Sequence, residues 1–224
     1  MAREWPVVAL LLLPAAALWG FILIADEVIE GETHGFDTAV LVALRNPADL
    51  SDPIGPPWLE EMMRDFTALG GVGVLTLMAA GGVGYLLLLR KRRAALFLAV
   101  AVGGGMLASS LLKMFFSRPR PDLVPHESYV YTTSFPSGHS MMSAVVYLTL
   151  AVMLSRVEAR GAVKAYLLGV AVLVVVLIGI SRVYLGVHWP TDVLAGWAAG
   201  AAWALGCWAL VTLLQRRGAL ESPE

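Results

Sequence analysis

A single cysteine, Cys207, stands in the whole chain of 224 residues. It has no partner within the chain, which excludes a disulfide framework. Charge is scarce as well: Asp, Glu, Lys and Arg make up 15% of the residues, against about 25% in an ordinary soluble domain. The net charge of −1 gives no indication of nucleic-acid binding, and no such partner is expected. Internal repeats, low-complexity tracts and a linker long enough to divide the chain are missing, so residues 1–224 read as one domain. No stretch alternates strictly between polar and apolar over about ten residues, which disfavours a transmembrane barrel.

What the chain does have is apolar sequence, 58% of it, gathered in blocks of about 20 residues, the length a helix needs to cross the hydrocarbon core. Six such blocks run roughly Pro6–Ala25, Gly70–Leu89, Ala94–Leu112, Pro136–Leu154, Ala165–Ile180 and Val193–Leu214. In lipid every backbone group must be satisfied within its own segment or a closed sheet. The expected fold class is therefore all-α: a polytopic membrane protein built as a six-helix transmembrane bundle. Gly103-Gly104-Gly105 and the pair Gly196 and Gly200 mark close helix packing. The first block, with Arg3 ahead of it and alanines within it, has features of a signal peptide. Its apolar run continues through FILIA, long for a signal core, so a retained helix is expected.

Basic residues stay in the cytoplasm when they flank short loops. Arg90 to Arg93, then Arg156, Arg160 and Lys164, then Arg216 and Arg217 fall in connections of the same parity, together with the N-terminus. Both termini are thus expected in the cytoplasm. The long, acidic connection from Asp26 to Leu69 is expected outside.

Two outward segments break this pattern, because they hold Lys113, Arg118, Arg120, His126, His139, Arg182, His188 and Asp192. A lone member could be a side chain snorkelling to the interface. Eight on one face of the membrane, where basic residues should be few, point to a functional site. His34 and His126 are given no role.

His188 and Asp192 are four apart, a spacing that lets a carboxylate fix one ring nitrogen and leave the other free. Pro190 suits the first turn of the last helix, and Asp192 is favoured by the dipole at its N-terminus. In Ser134–Leu148, SFPSGHSMMSAVVYL, Ser134 is the expected cap and Pro136 lies in the first turn. Ser137 and Gly138 then offer free backbone N–H groups, which favours an anion. With Lys113, Arg120 and Arg182 nearby, the natural guest is a phosphate group. Two histidines and an aspartate also suit zinc, but three cations oppose a divalent ion, so no metal and no cofactor are expected.

These residues resemble the three-part signature of the type 2 phosphatidic acid phosphatase superfamily of membrane lipid phosphatases. Its first part is Lys113, six residues, then Arg120-Pro121; its second is Pro136-Ser137-Gly138-His139; its third is Ser181-Arg182, five residues, His188, three residues and Asp192. The six-residue gap selects Arg120 over Arg118. The resemblance implies that His188 attacks phosphorus, Asp192 orients it, and His139 protonates the leaving oxygen and then activates water. It implies that Lys113, Arg120, Ser137, Gly138 and Arg182 hold the phosphoryl oxygens. The soluble vanadium haloperoxidases are similar in motif, but the apolar blocks exclude them. The implied activity is hydrolysis of a lipid phosphate or pyrophosphate at the outer leaflet of the cell membrane, with the bilayer as the other partner. Undecaprenyl pyrophosphate, phosphatidylglycerol phosphate, phosphatidic acid and diacylglycerol pyrophosphate are candidate substrates. A phosphotransferase and a non-catalytic lipid-phosphate transporter are the alternatives. One further reading lays the amphipathic stretch LEEMMRDF after Trp58 on the membrane surface, over the site.

Overall fold

The computed structural model describes residues 5–123, 132–156 and 158–216. His126, Arg3 and Arg217 lie outside them. Among the described residues, five helices are long and apolar enough to cross a bilayer: Leu10–Glu30, Arg92–Phe115, Gly138–Ser155, Gly161–Tyr184 and Pro190–Leu213. They match five of the six apolar blocks. The sixth block is helix Val72–Leu88, which reaches that length only with Pro57–Leu69 before it, across a bend of 46°.

In chain order the elements are α1 (Trp5–Glu30), α2 (His34–Ala43), strands β1 (Arg45–Asn46) and β2 (Asp49–Pro53), α3 (Pro57–Leu69), α4 (Val72–Leu88), α5 (Arg92–Phe115) and α6 (Gly138–Ser143). A π-helical turn over Ala144–Leu148 carries α6 into α7 (Thr149–Arg156), followed by α8 (Gly161–Tyr184) and α9 (Pro190–Arg216). The antiparallel pair β1–β2 departs from the all-α expectation. A polar connection outside a bilayer has water to satisfy its backbone, so the rule that enforces helices in lipid does not reach it.

Large apolar side chains cover the outside of the bundle, among them Leu77, Leu88, Leu107 and Leu173, all more than half exposed. An apolar exterior of that extent belongs against lipid. The interior is closed by small residues. A Cβ at Gly200 would strike the backbone carbonyl of Met141, so α9 lies directly on the helix that begins at Gly138. Phe21 of α1 stacks on Phe135, and Phe116 meets both rings edge-on. This aromatic cluster ties α1 to the segments that lead into α6.

The acidic connection is itself built. Leu41 of α2 packs with Val183, Trp189 and Val193, and Leu59 and Met63 of α3 pack under Tyr184, Leu185 and Val187. Arg45 donates to the Tyr184 carbonyl at 2.8 Å, at the C-terminus of α8, where a cation is favoured. The Tyr184 hydroxyl returns a hydrogen bond to the Ile54 carbonyl at 2.8 Å. The amphipathic LEEMMRDF stretch is helical, and it rests on the end of α8 that carries Arg182.

Candidate active site

Lys113 ends α5, His139 starts α6, Arg182 ends α8 and Asp192 starts α9. Alternating helix directions therefore bring four distant segments to one end of the bundle. The pair at its centre is His188 and Asp192, both almost fully buried. His188 lies just before α9 rather than within it. Its Nδ1 faces the Asp192 Oδ2 at 3.2 Å, and its Nε2 faces the Arg120 guanidinium at 3.1 Å. A guanidinium can only donate, so Nε2 accepts and Nδ1 carries the proton that Asp192 receives. Burial pushes His188 down to about 3; Asp192 opposes that shift, and the charges of Arg182 and Arg120 add to it. At neutral pH the ring is uncharged, with the Nε2 lone pair turned toward the cations.

Asp192 is held from four sides. Trp189 N–H donates to Oδ2 at 3.0 Å, an acid in the first turn reaching back to the start of its own helix. Ser134 donates its hydroxyl to the same oxygen, and Arg118 donates to Oδ1 at 2.7 Å. Ser134 is thus not the cap expected from the sequence. The cap of α6 is Ser137, whose Oγ accepts from the Ser140 N–H. The Ser137 N–H is not free either, because it donates to the Asp192 carbonyl at 2.9 Å. Here the contact between α6 and α9 takes the group that local sequence leaves unpaired.

Three cations surround His139 and His188, and among the described residues none of the three pairs with a carboxylate. Lys113 donates to the Thr133 carbonyl at 2.9 Å, and its chain runs against Gly138, with Cε 3.2 Å from where a Cβ would sit. Arg120 donates to the carbonyls of Val187 at 2.7 Å and Thr132 at 3.0 Å. Arg182, 3% exposed, donates to the Thr67 hydroxyl of α3 at 2.7 Å, while its Nε has no hydrogen-bond partner. The charges of Arg182, Lys113 and Arg120 all bear on His139. The bend between α3 and α4 sits directly on that ring: a Cβ on the buried Gly70 would lie 3.3 Å from His139 Cδ2. Among the described residues no group of three or more His, Cys, Asp or Glu side chains comes together as a metal site.

All eight residues selected from the sequence meet here: His188, His139, Asp192, Lys113, Arg120, Ser137, Gly138 and Arg182. Several of their partners do not follow from the motifs. Arg118 lies on Asp192, Thr67 on Arg182, and Asp37 on both Arg118 and the start of α9. His34 meets the Trp189 ring edge-on at 5.7 Å.

A neutral imidazole held by Asp192 and facing cations that have no carboxylate partner is a setting suited to an anion, as in a phosphatase. The chain belongs to the PAP2 superfamily, whose model matches residues 94–216. It is 40% identical to phosphatidylglycerophosphatase B of Bacillus subtilis over 151 residues, 66% of this chain and 72% of that protein. An undecaprenyl-diphosphatase of Sulfolobus acidocaldarius is 28% identical over 52% of this chain and 54% of its own length. Among solved structures, a transmembrane PAP2 type phosphatidylglycerolphosphate phosphatase from Bacillus subtilis superposes with a TM-score of 0.78 at 30% identity, covering 91% of this chain and 98% of that one. LpxE of Aquifex aeolicus superposes at 0.54, with 27% identity over 79% of this chain and 93% of its own.

Proposed function

We propose that this chain is a membrane lipid phosphatase that cleaves a lipid phosphate or pyrophosphate through a phosphohistidine on His188. The observation that carries this reading is the neutral His188 ring, fixed by Asp192 at Nδ1 and opened toward Arg120 at Nε2. Nε2 attacks phosphorus; an N–P bond forms and the P–O bond to the lipid, or to its inner phosphate, breaks. His139 gives its proton to the departing oxygen. It then takes a proton from water as that water attacks the phosphohistidine, and inorganic phosphate leaves. Splitting the displacement in two lowers each barrier. Lys113, Arg120 and Arg182 stabilise the charge that gathers on the phosphoryl oxygens, usually the largest catalytic contribution. The reading asks no metal or cofactor to supply that charge. Ser137 and Gly138 line the cradle next to Lys113. His188 acts uncharged and His139 acts protonated, so rate against pH is bell-shaped.

The relatives favour phosphatidylglycerol phosphate as first substrate to test and a polyprenyl pyrophosphate as second. Phosphate release from these two and from phosphatidic acid, measured in one detergent, ranks them. His188→Ala should release none above background, and turnover that survives in it would overturn the mechanism. An acid-labile phosphoenzyme should accumulate in His139→Ala and not in the double variant.

The proposal puts the site on the extracytoplasmic face of the cell membrane, with both termini cytoplasmic. In support, the basic turns at Arg90–Arg93 and Arg160–Lys164 lie at the opposite end of the helices. A membrane-impermeant maleimide should label Asp52→Cys, made in a Cys207→Ser background, in intact cells. Labelling only after lysis would reverse the topology.

A further inference from the structure

We propose that Asp37 and Arg118 are positioning residues that hold Asp192, and through it His188, in the geometry of attack; this rests on His188 being the nucleophile. Arg118 differs from the other site cations in its partners. It spans two buried carboxylates, donating at 2.7 Å to Asp192 Oδ1 and at 2.6 Å to Asp37 Oδ2. The same two terminal nitrogens also donate to Thr191 Oγ1 at 2.8 Å and Thr33 Oγ1 at 3.1 Å, and the Trp189 ring lies beneath the guanidinium at 5.7 Å. Both terminal nitrogens of Arg118 are thus taken up by protein partners.

Asp37 closes the arrangement from α2, outside the matched residues 94–216. It is fully buried, accepts from the Thr191 hydroxyl at 2.7 Å, and accepts from the Thr191 N–H at 2.9 Å. It therefore caps α9 from another element, and α9 is the helix that carries Asp192. It also balances Arg118. With one guanidinium shared by two carboxylates, Asp192 keeps a net negative charge for the imidazole that gains positive character when phosphorus is bound. With Asp37 gone, Arg118 would neutralise Asp192 alone.

The test uses the full-length protein in dodecyl maltoside with dioctanoyl phosphatidic acid as probe. Asp37→Asn and Arg118→Gln should each slow single-turnover phosphate release, with enzyme in excess, by about ten- to a hundredfold, as expected for slight misplacement of a reacting group. The probe's KM should stay within about twofold, because the phosphate-holding cations are untouched. The double variant should lose little more than the worse single variant, since the two residues act as one unit. Glu32→Gln, an exposed neighbour of the same segment, should match the parent. Rates are taken on the monodisperse fraction with its melting temperature recorded. A parental single-turnover rate in that fraction would overturn the proposal, whatever the melting temperature, and so would a rise in KM with kcat kept. His188→Ala runs alongside: if it retains turnover, the nucleophile assignment fails; if it is dead while Asp37→Asn is normal, only the present proposal fails.

Discussion

The stretch before residue 94 and the matched stretch 94–216 contribute different things to the same site. Every group proposed to touch phosphorus or move a proton comes from the second. The first supplies groups that press on them: Asp37 on Arg118 and Thr191, Arg45 on the end of α8, Thr67 on Arg182, and Gly70 beside His139. The groups proposed to react thus all come from the matched stretch, while part of what holds them comes from outside it. A family signature reports the former and is silent on the latter.

The largest break in that division is His188→Ala, which should reduce kcat by about four orders of magnitude or more, the scale seen when a nucleophile is removed. Phosphate release from the preferred lipid reads it directly. Arg120→Ala or Arg182→Ala removes one charge from the cradle and should cost about 3–4 kcal/mol of transition-state stabilisation. Steady-state kcat/KM measures that loss. Gly200→Ala tests the packing of the matched stretch without touching its chemistry. Its new methyl meets the Met141 carbonyl, and overpacking of this kind should cost about 1–3 kcal/mol of stability, read by thermal unfolding in detergent.

Acid should also separate structure from chemistry. The unfolded chain protonates a histidine near its usual value of about 6.5, while the folded protein keeps His188 neutral to about 3. Between those values the unfolded state binds the extra proton, so stability falls as pH falls, by up to about 1.4 kcal/mol per pH unit for this one group. His188→Asn should flatten the fall in melting temperature across that window. The smallest expected effect belongs to the first stretch. Thr67→Val removes the one hydroxyl that accepts from the Arg182 guanidinium, and should raise KM a few-fold at constant kcat because the Arg182 head loses the group that orients it. An unchanged KM would confine Thr67 to packing.

Much of the candidate site was legible because its residues lie in short spacings. His188, Asp192, Arg182, Lys113, Arg120 and His139 stand at intervals that a linear reading captures, and hydropathy marked the six apolar blocks. The holding groups were not legible, because their partners are far away in sequence. Asp37 reads as one of many acids in an outward connection, and its partner Arg118 is 81 residues on. A weak signal did exist. Asp37, Val40 and Leu41 fall on one face of α2, and an acid on an apolar face needs a buried partner. Arg118 was set aside because one gap in a motif favoured Arg120. Spacing selects the residue that repeats a pattern, not the neighbour that supports it. The Ser137 N–H is the reverse case, since local logic left it open and the crossing of α6 and α9 filled it.

The hydrogen bond between Arg182 and Thr67 has a consequence for how a headgroup is received. Arg182 gives up its water when the protein folds, and a neutral hydroxyl keeps one end of it in place afterwards. On the proposed function a phosphate oxygen would meet a guanidinium already stripped of its hydration shell and steadied by Thr67, with its Nε still unpartnered. Much of the dehydration needed for recognition is complete before any lipid arrives, so the strength of the encounter depends on how firmly α3 rests on α8.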